Sequence, residues 1–383
     1  MYAPTCLPRP EMKIAVIAQG SIPAQTANSI QNMKMAGALA RLGNEVHVLA
    51  PGADPGIGWA VLAKHYGVKD RFKIKWIPFL SFWRRYDFAL RAVRTAQDWG
   101  ADLVYTRLPQ AASLAAGRGI PTIFELHDLP SGTMGPWLLR RFLTARGARR
   151  LIVNTNHLLG EIRKRYQLPR KRDFLLLAPN GVDIEQYKNL PEPKAARKRL
   201  GLPDGFTAGY TGHLYAGRGI GFILELARRL PKIHFLIVGG RPEDVVERKE
   251  QAGGLPNVHF TGFVPNADLP HYQAACDVFL MPHGRKVSGS SGADIAQFAN
   301  PLKMFEYLAC GRPLLASRLP VLREVLDETN AILLPGRDLK AWMAALGNLQ
   351  KSPGRRAALA KAGKMTAAKF SWRGRAEKIL KSW

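Results

Sequence analysis

The sequence contains few cysteines, few acidic residues relative to its basic ones, and no long apolar run. Its three cysteines, Cys6, Cys276 and Cys310, are odd in number and far apart, which fits neither a disulfide framework nor a zinc site and favours a reducing compartment. No segment approaches the ~18 to 20 uninterrupted apolar residues of a membrane span. Residues 1–11 lack the apolar core of a signal peptide, and we expect them to form a loose tail. We therefore expect a cytoplasmic protein.

Signatures of bound cofactors are also missing. The loop after the first apolar segment is Ala18-Gln19-Gly20-Ser21-Ile22-Pro23, which lacks the G-x-G-x-x-G pattern of nicotinamide and flavin enzymes. There is no Asp-x-Asp motif, and the histidines do not have the spacing of metal ligands. We expect neither an organic cofactor nor a metal ion.

Basic residues outnumber acidic ones, with 56 Lys and Arg against 29 Asp and Glu and a net charge of +27. Such a surplus attracts nucleic acid, anionic lipid or phosphorylated ligands. The cations are spread through both halves of the chain, and no nucleic-acid-binding module is recognisable, which argues against nucleic acid as a partner.

The 383 residues suffice for two domains of roughly 100 to 200 residues each. Short apolar segments alternate with helical patterns in both halves, which is typical of parallel sheets covered by helices on both faces. These segments lie at residues 13–18, 45–49, 103–105, 122–126, 151–153 and 174–177, and again at 206–210, 233–238, 258–260, 278–281, 314–316 and 332–334.

This pattern predicts an α/β protein with two doubly wound, Rossmann-like domains that face a central cleft. We expect an N-terminal domain at 1–185, a C-terminal domain at 186–365, and a last helix at 366–383 that returns to the N-terminal domain. Ligands of open α/β sheets bind beyond the carboxyl ends of the strands. The active site should therefore lie between the domains.

A glycine-rich loop, Gly217-Arg218-Gly219-Ile220-Gly221, follows the first strand of the second half. An isolated glycine cluster is more often a turn than a binding site. Arg218 shifts the balance, because a cation beside exposed N–H groups at a helix N-terminus suits a diphosphate.

Seven segments together carry a family resemblance. They are Lys13 to Gly20 with Pro23, Phe124-Glu125-Leu126-His127-Asp128, Pro179 to Asp183, Tyr210-Thr211-Gly212 with Arg218-Gly219, Val238-Gly239-Gly240, Asn257 to Val264, and Pro301 to Pro313. In this order they resemble glycosyltransferase family four, whose members are retaining enzymes of the GT-B fold. The resemblance covers nearly the whole chain.

The resemblance implies transfer of a sugar from a nucleotide-diphosphate donor to a hydroxyl of a glycan or lipid-linked acceptor, with retention at the anomeric carbon. Glu306 would bind the ribose hydroxyls, Arg218 the diphosphate, and His127 would face the donor sugar. The other residues implied to contact the donor are Gly20, Gly212, His213, Gly239, Gly240, Phe263, Val264, Leu302 and Lys303. The second domain would hold the donor and the first domain the acceptor.

The sequence departs from the family pattern at two positions. The family's usual arginine shortly after the Tyr210-Thr211-Gly212 strand is here His213, so a protonated His213, Lys303 or Arg285 would have to supply the missing charge. The first of the family's paired glutamates, which lies near the transferred sugar, is here Phe298. The glycine- and serine-rich segment 288–292 before it is expected to be mobile.

Aromatic residues alternate with cations between Lys69 and Arg94 and again at residues 137–142. This composition suits an anionic membrane surface, where rings lie at headgroup depth and cations neutralise lipid, and it would place the protein at the inner face of the cytoplasmic membrane. The alternative is that the rings belong to one core strand and one core helix. The residues assigned to this membrane or acceptor patch are Lys73, Lys75, Trp76, Trp83, Arg84, Arg85, Arg140 and Arg141.

Two other functions stay open at this point. A GT-B sugar-nucleotide epimerase or hydrolase would consume the donor without an acceptor. A degenerate, non-catalytic scaffold that binds polyanions is suggested by Phe298, His213 and the net charge of +27.

Overall fold

The computed structural model describes residues 11–83, 86–170, 173–284 and 297–381. Within these ranges the strands form two separate sheets whose neighbouring strands are all parallel. The first sheet has the order β3-β2-β1-β4-β5-β6-β7 and the second β10-β9-β8-β11-β12-β13. Both orders reverse beside their first strand, as in doubly wound nucleotide-binding folds.

The first sheet contains β1 (Lys13–Ile17), β2 (Glu45–Pro51), β3 (Lys73–Ile77), β4 (Leu103–Thr106), β5 (Thr122–Leu126), β6 (Ala148–Val153) and β7 (Leu175–Leu177). The second contains β8 (Thr207–Thr211), β9 (His234–Val238), β10 (Val258–Gly262), β11 (Val278–Met281), β12 (Leu314–Ser317) and β13 (Ile332–Leu334). The α/β class predicted from the sequence is therefore confirmed.

The helices of the first half are α1 (Ala27–Arg41), α2 (Trp59–Tyr66), α3 (Tyr86–Asp98), α4 (Pro109–Gly117), α5 (Met134–Thr144) and α6 (Asn156–Arg165). Those that follow are α7 (Pro193–Leu200), α8 (Ile220–Arg229), α9 (Pro242–Ala252), α10 (Leu269–Ala274), α11 (Leu302–Cys310), α12 (Leu339–Lys351), α13 (Pro353–Ala367) and α14 (Trp372–Leu380). They connect successive parallel strands and cover the sheets.

The central strands consist of continuous apolar residues because helices cover both of their faces. In β1, Ile14 to Ile17 are fully buried, and β5 is buried along its whole length. Helix α1 begins where the Thr26 side chain accepts from the Ser29 N–H at 3.3 Å, which satisfies one of the free donors at a helix start.

The last helix, α14, packs against the first sheet and α1 although it follows the second sheet in the chain. The side chains that face the first domain are Trp372, Ala376, Ile379 and Leu380, all buried in the cluster around β1. They follow the i, i+4, i+7, i+8 spacing of one helical face. The chain therefore crosses between the domains a second time at its end.

Strand β3 was not among the strands expected from the sequence. Its residues, Lys-Ile-Lys-Trp-Ile, alternate between cations and apolar side chains. It pairs with β2 alone, at the edge of the sheet. An edge strand with one solvated face alternates instead of forming a continuous apolar run, which is why the search for such runs missed it.

We expect Arg375→Ala to lower the free energy of unfolding by about 3–5 kcal/mol, because it leaves the Glu125 carboxylate buried and unpaired. The Arg375 guanidinium donates to Glu125 at 2.8 Å, and both side chains are almost fully buried. Urea unfolding followed by tryptophan fluorescence measures the loss.

The matched control is Arg373→Ala on the same helix, where Arg373 makes an exposed pair with Glu377. Removing such a pair should cost less than about 0.5 kcal/mol. Equal effects of the two substitutions would contradict a structural role for the buried pair.

Candidate active site

A cavity of about 710 Å³ lies between the two domains and is lined by residues of both. The first domain contributes the residues that follow β1, β4 and β5, and the second contributes those that follow β8 and β9 together with the start of α11. These are carboxyl ends of parallel strands next to the points where the strand order reverses, the usual location of ligand sites in such folds.

All residues that the sequence analysis assigned to the donor or to catalysis line this one cavity. They are Gly20, His127, Gly212, His213, Arg218, Gly239, Gly240, Phe263, Val264, Leu302, Lys303 and Glu306. The structure thus brings together side chains from the 20s to the 300s of the chain. Their roles toward a ligand remain proposals.

The loop before α8 requires glycine. Gly219 caps the helix with φ +84°, and a Cβ there would lie 2.2 Å from the carbonyl oxygen of Pro282. Gly239 has φ +110°, and its Cβ would lie 2.6 Å from the carbonyl oxygen of Gly212. The loop before α8 is therefore packed against the backbone that follows β11, and the loop after β9 against the backbone that follows β8. Arg218, just before α8, lines the cavity.

Lys303 is a cation without a hydrogen-bond partner among the described residues. Its Nζ lies 3.7 Å from the ring centroid of Tyr210, and the side chain lines the cavity. Burial, with Arg218 adding repulsion, lowers the pKa of Lys303 well below its usual value. A bound anion at this position would remove that penalty.

His213 does not supply the charge of the family's arginine. Its Nε2 lies 2.9 Å from the carbonyl oxygen of Gln25 in the first domain, and its ring stacks on Tyr215. Burial lowers the pKa of His213, and the charges of Lys303 and Arg218 lower it further. The neutral ring donates Nε2–H to Gln25 and links the two domains. Of the other two cations considered in place of the family's arginine, Lys303 lines the cavity. Arg285 lies outside the described residues, as does the glycine- and serine-rich segment 288–292.

Glu306 lies in α11 and faces cations from both domains. The side-chain amide of Gln273 donates to its Oε2 at 3.3 Å. Burial raises the pKa of Glu306, while the charges of Lys34 in the first domain and Lys303 oppose that shift. An oxygen of this carboxylate can still accept from ligand hydroxyls.

His127 follows β5 and is held by the buried carboxylate of Glu125. Its Nε2 lies 2.5 Å from Glu125 Oε1. Glu125 also accepts from the side chains of Gln31 (3.0 Å) and Arg375 (2.8 Å) on that oxygen and from Tyr105 on the other. Burial raises the pKa of Glu125, but the positive charge of Arg375 and the hydrogen bond from His127 outweigh it and bring the pKa below its usual range.

This arrangement determines the tautomer of His127. Burial and the charge of Arg107 lower the pKa of His127 to about 4, against the opposing pull of Glu125. At neutral pH the ring is uncharged, and because an ionised carboxylate can only accept, the hydrogen is on Nε2. Nδ1 is then a hydrogen-bond acceptor, and His127 lines the cavity.

Phe298 points to the first domain. It packs against the apolar cluster around β5 and α5, and its ring centroid lies 5.3 Å from that of His157. The side chain also lines the cavity. The position of the family's first glutamate is therefore an apolar contact between the domains.

Several residues that line or support the cavity were not singled out from the sequence, above all Glu125, Arg107, Gln31 and Asn154. Arg107 directly follows β4, just as His127 directly follows β5. The same position rule that identified His127 could have identified Arg107. Nothing local in the sequence identifies Arg375 as the partner of a carboxylate 250 positions away.

Only part of the basic and aromatic patch assigned to a membrane or acceptor is exposed to solvent. Trp76 is half-buried and donates its indole N–H to the carbonyl oxygen of Ile22 at 2.6 Å, so part of this ring packs within the first domain. Trp83 is 58% exposed. Of the cations, Lys75 is exposed, Lys73 lies 3.7 Å from Glu45, Arg140 and Arg141 lie over the rings of Tyr166 and Trp137, and Arg84 and Arg85 lie outside the described residues.

No helix among the described residues is both long and apolar enough to cross a bilayer. No group of three or more His, Cys, Asp or Glu side chains among them is placed to hold a metal ion.

Two facing Rossmann-like domains with a cation-lined cleft define the class of GT-B proteins. Residues 31–186 match the model described as Glycosyltransferase Family 4, and residues 205–352 match the model described as Glycosyl transferases group 1. The chain belongs to glycosyltransferase family 4, and the resemblance stated from the sequence is confirmed.

Curated relatives are similar over part of their length. A GDP-mannose-dependent alpha-(1-6)-phosphatidylinositol monomannoside mannosyltransferase of Mycolicibacterium smegmatis is 31% identical over 52% of this chain and 54% of the relative. A D-inositol 3-phosphate glycosyltransferase of Segniliparus rotundus is 28% identical over 61% of this chain and 51% of the relative. The chain spans about half the length of the curated relatives it matches.

Solved structures are similar over nearly the whole chain. Sucrose-phosphate synthase from Thermosynechococcus elongatus superposes with a TM-score of 0.73 at 19% identity, covering 96% of this chain and 97% of that one. The Anabaena protein Alr3699/HepE in complex with UDP and glucose gives 0.72 at 20% identity, covering 97% and 99%. These likenesses establish the GT-B fold.

We expect the His127 ring to stay neutral down to about pH 4 and to carry its hydrogen on Nε2, because Glu125 accepts that hydrogen and burial disfavours the imidazolium. Nitrogen-detected NMR of labelled histidine measures both. Since the folded-state pKa lies below the ordinary 6.5, the unfolded chain takes up the proton first. Stability from this residue is therefore full above 6.5 and declines as the pH falls toward 4.

The variant that tests this assignment is Glu125→Gln, which keeps the shape of the side chain and removes its charge. In this variant the His127 ring should no longer show the NMR spectrum of a single tautomer. Glu161→Gln in the same domain, where Glu161 pairs with Arg165 on the surface, is the control and should leave His127 unchanged. A His127 ring that is protonated at pH 6 in the wild type would contradict the assignment.

Proposed function

We propose that this protein is a retaining glycosyltransferase that moves a sugar from a nucleoside-diphosphate sugar to an acceptor hydroxyl. The observation that carries the proposal is the convergence of Glu306, Arg218 and His127 on one interdomain cavity. Glu306 would accept from the ribose hydroxyls, Arg218 would bind the diphosphate with Lys303 and the N-terminus of α8, and the sugar would lie between them and His127.

The cations of the second domain suit a leaving diphosphate. Charge accumulates on that group as the bond to the sugar breaks, and fixed donors aimed at developing charge are the largest common source of catalysis. Lys303 lacks a hydrogen-bond partner among the described residues, so it needs no rearrangement to meet a phosphate. No resident metal ion or organic cofactor is part of the proposal.

Retention is proposed to follow a front-face displacement. The bond between the anomeric carbon and the diphosphate oxygen breaks while the acceptor oxygen bonds to the same face. The acceptor proton passes to the departing phosphate oxygen, so the step needs no protein nucleophile. The buried Glu125 is not available for that role, since its oxygens already accept from His127, Gln31, Arg375 and Tyr105.

The first domain would bind the acceptor. The mannosyltransferase relative is named for a phosphatidylinositol acceptor and the other for an inositol phosphate, and both names support a polyol or lipid-linked glycan as the acceptor here. A lipid-linked acceptor would be met at the inner face of the cytoplasmic membrane, where the cationic surface of the protein would help to hold it.

We expect Glu306→Ala to weaken nucleoside-diphosphate binding about 10-fold to 100-fold, since hydrogen bonds to a charged group contribute about 1.5–3 kcal/mol. A thermal-shift screen with UDP, GDP and ADP identifies the base, and calorimetry then compares the variants. For the wild type, a ligand at 100 times its dissociation constant should stabilise by about 2.7 kcal/mol.

The matched control is Glu328→Ala, which removes an exposed carboxylate of the second domain and should leave the affinity unchanged. If no nucleoside diphosphate stabilised the wild type, the polyanion-binding scaffold would replace the proposal. If a nucleotide sugar were consumed without an acceptor, the epimerase or hydrolase alternative would replace it.

We also expect the double variant Phe82→Ser and Trp83→Ser to reduce binding to vesicles that contain phosphatidylglycerol about 10-fold or more. Phe82 and Trp83 are 87% and 58% exposed, and burying a large apolar side chain contributes about 1.5–3 kcal/mol. Cosedimentation measures the change. Val246→Ser, an exposed apolar residue of the second domain, should have no effect, and equal loss in both variants would contradict a membrane patch.

A further inference from the structure

Arg107 is a cation of the first domain whose side chain the proposed sugar transfer does not use. It directly follows β4 and lines the cavity beside His127 and Gln31. The diphosphate-binding cations proposed above, Arg218 and Lys303, belong to the second domain. The cavity therefore has a second positive centre on its first-domain wall.

Arg107 has almost no partner among the described residues. Its one hydrogen bond is from Nη1 to Gln31 Oε1 at 3.5 Å, the outer limit for such a bond. Its Nε is shielded from solvent and donates to nothing. Glu125 and Asp128 attract Arg107 electrostatically, but among the described residues neither carboxylate lies within salt-bridge distance of it, and Glu125 is paired with Arg375.

Two other arginines of this protein have several hydrogen-bond or ion-pair partners, although Nε of Arg197, like that of Arg107, donates to nothing among the described residues. Arg375 donates to Glu125 and to the carbonyl oxygens of Ala178 and Pro179. Arg197 pairs with Asp277 and Asp204. Arg107 is half-buried. Burial lowers its pKa, and the charges of Glu125 and Asp128 oppose that shift without fully offsetting it. An arginine that lines a cavity with one long hydrogen bond has donors available to a ligand.

The neighbours of Arg107 indicate what kind of ligand would fit. Asn154 lines the same cavity, and its side-chain oxygen is shielded from solvent without a donor. Nδ1 of neutral His127 is a further acceptor. A guanidinium matches carboxylate and phosphate groups, and the acceptor atoms match hydroxyl groups. The set as a whole suits an anion that also carries hydroxyls.

We propose that Arg107 anchors a second anion subsite, which binds a phosphate or carboxylate group carried by the polyhydroxylated acceptor. The inference rests on the proposed function, because it assigns the chemistry of the acceptor of that same site. The anion would align the attacking hydroxyl at His127, while the donor diphosphate lies on the opposite wall with Arg218 and Lys303.

The test is a calorimetric titration of inorganic phosphate into protein saturated with the nucleoside diphosphate that stabilises it, so that the donor site is filled. We expect saturable binding to the wild type, weakened about 10-fold or more in Arg107→Met. Nucleotide affinity should be the same in both proteins. Arg118→Met, which removes an exposed cation after α4, is the matched control and should bind phosphate like the wild type.

Thermal unfolding without ligands distinguishes a binding role from a structural one. Since Arg107 makes only one long hydrogen bond and no salt bridge among the described residues, the unfolding midpoint of Arg107→Met should equal or exceed that of the wild type. A lower midpoint, or phosphate binding unchanged by Arg107→Met, would overturn the proposal. Nucleotide affinity tests the proposed function separately, so the two can fail independently.

A second experiment tests whether the anion belongs to the acceptor or to the donor, because a uronate donor also carries a carboxylate. We expect Arg107→Met to bind UDP-glucuronate and UDP-glucose with the same ratio of affinities as the wild type. A selective loss of UDP-glucuronate would place the anion on the donor and overturn the assignment to the acceptor.

Discussion

The ion pair between Glu125 and Arg375 is the interaction on which the candidate site depends. A carboxylate at the end of a central strand is fully removed from water and would be protonated or displaced without a cation beside it. Arg375 supplies that cation from α14 and also donates to the carbonyl oxygens of Ala178 and Pro179. The last helix therefore keeps Glu125 ionised, and an ionised Glu125 orients His127.

The two walls of the cavity differ in what they offer a ligand. The second domain presents Lys303 and Arg218, a combination of cations suited to a diphosphate. The first domain presents a neutral histidine, amide side chains and Arg107. His213 joins the walls through its bond to Gln25. Chemistry that needs both a phosphate clamp and a hydroxyl-binding surface is therefore possible only with the domains held together.

The sequence predicts the sheets well because buried parallel strands are continuous apolar runs followed by polar loops. It also predicts which residues line the second-domain wall of the cavity, since ligand residues of such sheets lie directly after strands, as Gly212 and Gly239 do. It does not predict β3, whose one solvated face breaks the apolar run. It misses the pairing of Glu125 with Arg375 because that contact depends on where α14 docks, which no local pattern specifies.

Burial also determines which of the side chains singled out from the sequence are available to a ligand or a membrane. Trp76 and Trp83 are both aromatics among cations in the sequence, yet one donates to the Ile22 carbonyl oxygen within the first domain and the other is exposed. A protonated His213 could replace the positive charge of the family's arginine, but burial between the domains lowers its pKa and keeps the ring neutral. In each case the sequence shows the chemistry of the side chain, whereas the environment of that side chain is determined by residues that are distant from it in the sequence.

The two departures from the family pattern compensate each other electrostatically. Neutral His213 in place of an arginine removes one positive charge from the cleft, and Phe298 in place of a glutamate removes one negative charge. The two changes together leave the net charge as in the family pattern, and Lys303 and Arg107 are among the basic residues that line the cavity. Phe298 also packs on the first domain beside His157, so the lost carboxylate is replaced by apolar contact that favours a closed cleft. At this position the cavity wall therefore offers a ligand an apolar surface instead of a carboxylate.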